Sequence, residues 1–283
     1  MNNKDIEKII YDVFNSLEKN NFETLGRPDE KMWEEPLIGI ASGEDKYYSF
    51  LKEHIGEFHW SPEEAFKLKY KNNVKSKNLK VISLAFPQTR VTKRTQKNAV
   101  NCPSKEWIVT RGEWEPLMKE FSTKIVKEFE ERGIRILSID MQTEFSTHKS
   151  EKLGLASNWS HRHTGFIAGL GTFGLSEGLI TKKGKAVRMT SFIVEAPLIP
   201  TEREYKDHNE WCLYYKDGSC KVCIKRCPIS AISEDGHDKI SCEEYEDIFY
   251  EKYWPTDIEK GDYILGCGLC QVGIPCQNKK PFN

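Results

Sequence analysis

The residues of this chain best able to do chemistry are its cysteines. Nine are present; eight fall between Cys212 and Cys276, and only Cys102 lies in the first 211 positions. The stretch "CKVCIKRCP", residues 220 to 228, carries Cys220, Cys223 and Cys227 ahead of Pro228. It matches the iron-sulfur run C-x2-C-x2-C-x3-C-P except that the first cysteine is missing. Cys212 stands upstream, displaced by the insertion "LYYKDGS", in which Asp217 and Gly218 can turn the chain. The rest of the tail repeats the arrangement, with a lone Cys242, the pair Cys267 and Cys270, and Cys276 beside Pro275.

In a two-cluster repeat the cysteine before the proline ligates the other cluster. This rule assigns Cys212, Cys220, Cys223 and Cys276 to one [4Fe-4S] cluster, and Cys227, Cys242, Cys267 and Cys270 to a second. A zinc site closed by the knuckles Cys220/Cys223 and Cys267/Cys270 is the competing reading. Their separation exceeds the usual spacing of roughly 15 to 20 residues, and zinc would leave four thiols without a role. In a reducing compartment such clustering favours metal over disulfides. Cys102 has no partner motif.

These cysteines need elements to hold them. "LKVISLAFPQ", residues 79 to 88, reads as a buried strand, "IRILSID" as a second, and "MTSFIVEAP", near residues 189 to 196, as a third. Between the first two, "GEWEPLMKEFSTKIVKEFEERG" repeats apolar residues at helical spacing, and Gly133 suits its C-terminal cap. Ile6, Ile9, Ile10, Val13, Phe14 and Leu17 mark an amino-terminal helix with a core face, not a signal peptide. An α/β or α+β layered core over residues 1–200 is expected, followed by a cysteine-rich unit, 201–283, too poor in aliphatic runs to fold without metal staples.

Hydrophobic residues make up 38% of the 283 and mean hydropathy is −0.61, so a membrane-spanning chain is not expected and the cytoplasm is the expected location. Net charge is −1, unevenly spread. Lys67 to Lys97 holds ten Lys or Arg and no Asp or Glu, whereas Glu243 to Asp262 is strongly acidic. The basic segment is a solvated connection or a docking surface for an acidic redox partner, a phosphate-bearing cofactor or RNA.

"GLGTFG", Gly169 to Gly174, matches G-x-G-x-x-G with Glu195 further on, nominally a dinucleotide fingerprint. That fingerprint needs a strand before it and a helix after it. The flanking "SHRHTGFIA" and the later Gly178 and Gly184 suggest instead a tight turn that brings bare backbone to a large flat ligand. Gly169, Gly171 and Gly174 are therefore candidate cofactor contacts. Arg162 and His163, with His161 beside them, are candidate catalytic groups.

Taken together, "HTGFIAGLGTFGLSEGLIT", "CKVCIKRCPISAI", "CEEY" and "GCGLCQ" resemble the epoxyqueuosine reductases and the related reductive dehalogenases, particularly the short epoxyqueuosine reductase-like members. The resemblance implies an α+β fold: a nitroreductase-like amino-terminal domain holding a base-off corrinoid (cobalamin), then a ferredoxin-like domain with two [4Fe-4S] clusters. It implies two-electron reduction of a substrate above the cobalt, an electron donor such as a ferredoxin or flavodoxin, and an acidic proton donor, for which Asp140 stands in the corresponding region. Two features depart from the tRNA-modifying members: the last motif is C-x2-C-x5-C, and no helical repeats follow the cysteines. A small-molecule substrate is expected in preference to tRNA. The other reading is a two-cluster electron-transfer protein with no catalysis of its own.

Overall fold

In a computed structural model, residues 1–71, 74–252 and 266–282 are described. The central sheet is built from β1 (Leu37–Ser42), β2 (Leu79–Pro87), β3 (Ile136–Ser138) and a long later strand, Val187–Glu195. Two hairpins lie between β3 and that strand: β4 (Thr147–Ser150) with β5 (Gly154–Ser157), and β6 (Gly171–Phe173) with β7 (Leu179–Thr181). The long strand is thus β8, and the sheet order is β1-β2-β8-β3, antiparallel throughout. Register is fixed by pairs such as Ile82 with Phe192 and Ile136 with Val194.

Both faces of the sheet are covered, which is why β2 reads as an unbroken apolar run. Ile82, Leu84 and Phe86 of β2, with Phe192 and Val194 of β8, face one core. That core is filled by α1 (Asn3–Asn15), whose capping box is Asn2 with Asp5, and by a long helix, Trp114–Glu130, whose Leu117, Phe121, Ile125 and Phe129 are buried. Val81 and Ala85 of β2 and Ile193 of β8 face the opposite core. There they meet α2 (Lys46–Ile55), α3 (Pro62–Lys69) and Trp159. The alternation is the period-two pleat of the strands.

The expected strands are present with ends shifted by a residue or two, and Gly133 stands just past the long helix in left-handed conformation, φ +73. Two further helices, α4 (Arg90–Asn98) and α5 (Lys105–Gly112), precede that helix, which is α6. The cysteine-rich tail packs into the second core: Trp211, Cys212, Cys223, Ile232 and Ile274 are buried in the same cluster as Val81 and Ile193. Its tie to the glycine hairpin is direct, since the Trp211 N–H donates to Thr172 Oγ1 at 2.9 Å. Among the described residues no helix is long and apolar enough to cross a membrane. Part of the acidic block, 253–262, lies outside the described residues.

Candidate metal centre

Cys212, Cys220, Cys223 and Cys276 line one small cavity, walled by Leu175, Ile180 and Pro275. The short helix α7 (His161–Ile167) precedes the glycine hairpin, and the tail then adds α8 (Leu213–Asp217) and α9 (Val222–Arg226). Cys212 is the residue before α8, so the insertion between Cys212 and Cys220 forms a single helical turn, ended by Gly218 at φ +72. Cys223 lies within α9. Cys276 is tied to the part of the chain that precedes the cysteine-rich tail, because the Lys185 N–H donates to its carbonyl at 2.8 Å.

The other four cysteines face a second, much larger cavity of about 960 Å³. Cys227 caps the C-terminus of α9, and Cys242 lies on α10 (Lys239–Lys252), beyond a small hairpin of β9 (Ile232–Ser233) and β10 (Gly236–His237). Cys267 and Cys270 flank Gly268, whose φ of +61 opens a 3-10 turn. Trp107 Nε1 donates to the Gly266 carbonyl at 2.7 Å and Gln96 Nε2 to that of Cys267 at 2.9 Å, fastening this loop to α4 and α5. Each set of four cysteines thus borders a separate cavity.

Burial pushes the Cys242 thiol up to about 12, that of Cys276 to about 11, and that of Cys267 higher still. Such groups stay protonated near neutral pH unless a cation compensates the thiolate. Among the described residues no three Cys, His, Asp or Glu side chains converge closely enough to hold a single metal ion. Four thiols spread around a cavity suit a multi-iron cluster better than one small ion, so the donor chemistry fits [4Fe-4S] at both places.

Besides the cysteines, the large cavity is lined by Asp140, His161 and Arg162, and by Trp159 and Arg188. The 3-10 turn Ile139–Met141 after β3 carries Asp140, and Ser160, whose hydroxyl accepts from the His163 N–H, starts α7. His161 Nε2 donates to Asp140 Oδ1 at 3.1 Å, Thr190 Oγ1 donates to Asp140 Oδ2, and His161 Nδ1 lies 2.8 Å from Ser191 Oγ. Trp159 Nε1 donates to that same Ser191 oxygen at 2.8 Å. Burial alone would raise the Asp140 carboxyl, but His161 and the Thr190 hydroxyl outweigh it and hold the carboxyl below the usual range. Arg162 Nη1 donates to the Glu177 carbonyl at 2.9 Å. The Glu177 carboxyl, though partly buried, is brought to about 2 by His237, Lys239 and Arg162.

Not all candidates gather here. His163 is not among the residues lining the large cavity: its Nδ1 lies 2.7 Å from Ser160 Oγ, its ring packs 4.8 Å from that of Phe173, and burial lowers it to about 3. Gly169 and Gly171 do not line it either. A β-carbon at Gly171 would stand 2.8 Å from the Ile180 carbonyl carbon and overlap the oxygen, so this glycine serves the close pairing of β6 with β7. Gly174 borders the small cysteine cavity. A helix precedes the run and a strand follows it, the reverse of the dinucleotide fingerprint, and Glu195 is engaged by Arg135 Nε at 2.7 Å. Three cavity residues had no spacing signal to announce them: Lys185, Arg111 and Glu246.

No family model matches the chain. Over 113 residues it is 32% identical to epoxyqueuosine reductase from Cyclobacterium marinum, a match spanning 38% of this chain and 34% of that protein. Part of this chain is therefore homologous to epoxyqueuosine reductase. The chain spans about a third of the curated relative it matches. Solved structures to which the chain is similar include a selenomethionine-labelled epoxyqueuosine reductase, at 16% identity and TM-score 0.48, covering 87% of this chain and 63% of the other. The Bacillus subtilis epoxyqueuosine reductase gives 18% and 0.48 with the same coverage. A catabolic reductive dehalogenase gives 15% and 0.41, over 70% of this chain and 23% of the other.

Proposed function

We propose that this chain is an iron-sulfur reductase in which two [4Fe-4S] clusters, borne by residues 201–283 folded as a ferredoxin-like unit, feed low-potential electrons to a corrinoid and substrate held by a nitroreductase-like part, 1–200. One observation carries the reading: Cys227, Cys242, Cys267 and Cys270 open onto the same cavity as Asp140, His161 and Arg162. A group bound there is beside an electron source and a proton source at once. A volume of about 960 Å³ is at the upper end for ligand sites, as a macrocycle requires.

When bound, a corrinoid would supply a metal centre capable of two-electron reduction. The protein's own parts do the rest. Trp159 and Met189 give the cavity apolar wall, which keeps water from the reducing centre. His161 Nε2 carries a proton at the Asp140 carboxylate, where it can replace one taken up by the reduced substrate. Arg162 and Arg188 offer positive charge to a carboxylate, phosphate or amide oxygen of the bound group. A small molecule remains the favoured substrate; three of the ten basic residues of 67–97, Lys67, Lys69 and Lys93, are paired with Glu63, Glu130 and Glu34.

Protein reconstituted without oxygen should carry about eight iron and eight sulfide per chain. Titration with cob(II)alamin should give a base-off EPR spectrum saturating near one equivalent. Zinc at one or two ions with no visible absorption ends the cluster reading. Intact clusters with no cobalamin binding leave the electron-transfer protein in its place.

A further inference from the structure

A lysine lies between the two cysteine cavities. Lys185 is 2% exposed and lines both. Its Nζ donates to Ser176 Oγ, and among the described residues no carboxylate pairs with it. The connection between β6 and β7 is shaped around its side chain. A β-carbon at Gly178 would stand 3.3 Å from Lys185 Cγ and closer still to Cε, and one at Gly174 would stand 3.1 Å from Nζ. Two glycines thus open the channel in which the lysine runs. A buried ammonium whose one partner is a hydroxyl is costly unless negative charge faces it. The side chains that share a cavity with it include four cysteines on each side, Cys212, Cys220, Cys223 and Cys276 in the small one and Cys227, Cys242, Cys267 and Cys270 in the large one.

We propose that Lys185 is a shared counter-cation for two iron-sulfur clusters, raising the reduction potential of both and easing passage of an electron from the small cavity to the large one. The inference rests on the two-cluster reading above. Each reduction adds one electron, and so one negative charge, to a thiolate-ligated cluster, and a fixed cation in a low-dielectric setting favours the reduced form. Because the ammonium borders both cavities, its effect falls on both couples. The connection that holds it is then a device for placing charge, which gives Gly174, Ser176 and Gly178 a role that the dinucleotide pattern does not.

The test is an EPR-monitored redox titration of the full chain, reconstituted anaerobically and reduced with dithionite. Lys185→Met keeps length and loses charge; at a fixed potential the oxidised-to-reduced ratio of each cluster should rise at least tenfold, a fall in midpoint of about 59 mV for a one-electron couple. Lys185→Arg keeps charge and should leave both ratios within about threefold of the wild type. Unmoved midpoints in Lys185→Met, movement of only one, or an equal fall in Lys185→Arg would each overturn the proposal. Should Lys185→Met retain no iron, the arginine variant decides: both clusters at wild-type midpoints support the proposal, and loss of iron there too refutes it, since shape and not charge is then required. A wild-type chain without clusters is a different result, and it defeats the two-cluster reading itself.

Discussion

Gly268→Ala perturbs the cavity-side cysteines without touching a sulfur. Gly268 sits at φ +61, between Cys267 and Leu269, and a β-carbon there would stand 2.8 Å from Cη2 of Trp107 and nearer to two other ring atoms. The indole cannot give way easily: it is 2% exposed, packs with Ala186 and Val272, and is tied through Nε1 to Gly266. A left-handed backbone costs an L-residue roughly 1 to 2 kcal/mol. Overpacking adds about 1 to 3 kcal/mol, for a total of about 2 to 5 kcal/mol. The strain falls on the loop that presents Cys267 and Cys270, whereas the small-cavity sulfurs hang on α8, α9 and the Cys276 carbonyl contact. We expect the reconstituted variant to keep about four of eight irons and to lose one EPR signal. Trp107→Phe should recover part of the loss when combined with Gly268→Ala, the coupling expected of residues in contact. Full iron in both clusters with an unchanged unfolding midpoint would refute the reasoning.

Three further outcomes follow from the same geometry. Cys227→Ser should damage the cluster at the large cavity although its sequence neighbours Cys220 and Cys223 serve the small one, and Cys276→Ser should do the converse; EPR of each variant reads which signal is lost. Gly171→Ala should lower thermal stability while any cobalamin affinity of the folded fraction stays at the wild-type value, because the added carbon meets the Ile180 backbone and not the cavity. His59, fully buried with its Nε2 accepting from the Ser160 N–H at 3.1 Å, is lowered by burial from 6.5 to about 4, a difference of about 3 kcal/mol. The unfolded chain binds that proton first as pH falls, so this stability is present above about 6.5 and is lost between about 6.5 and 4; denaturant unfolding of His59→Phe should show a flatter slope in that window.

The strands and the long helix were legible because their signals are local: the unbroken run of β2 and the helical repeat from Trp114 to Phe129 need no knowledge of the rest of the chain. The grouping of the cysteines around two cavities follows their order in the sequence for another reason, since a repeated spacing brings corresponding residues to corresponding places. The glycine run was harder. Its three glycines gave the same letters for a cofactor loop and for a hairpin, and only the partners tell them apart: Ile180 behind Gly171, Lys185 across Gly174 and Gly178. Asp140 and His161 lie twenty-one positions apart, and no periodic rule joins a turn after β3 to the first residue of α7.

The same distinction bears on where the proposed reducing chemistry is placed. A bare-backbone platform at the glycine run would put a flat cofactor against residues 169 to 174, away from the second set of cysteines. The structure instead opens those cysteines onto a wall made by β8, α7 and the turn after β3. Arg188 and Met189 come from β8, His161 and Arg162 from α7, and Asp140 from the turn. Strand β8 lies inside the sheet, paired with β2 along its whole length and with β3 over Phe192, Ile193 and Val194, so Arg188 and Met189 hang from a regular strand and not from a loop. A proton held at Asp140 and His161 then stays at a fixed place relative to Cys227, Cys242, Cys267 and Cys270, which is what the proposed coupling of electron to proton delivery demands. Asp140→Asn is the variant that separates these duties: it keeps the size and shape of the side chain, removes the carboxylate that holds the His161 proton, and should leave iron content and both EPR signals intact while any reductive turnover falls by about 10²-fold or more.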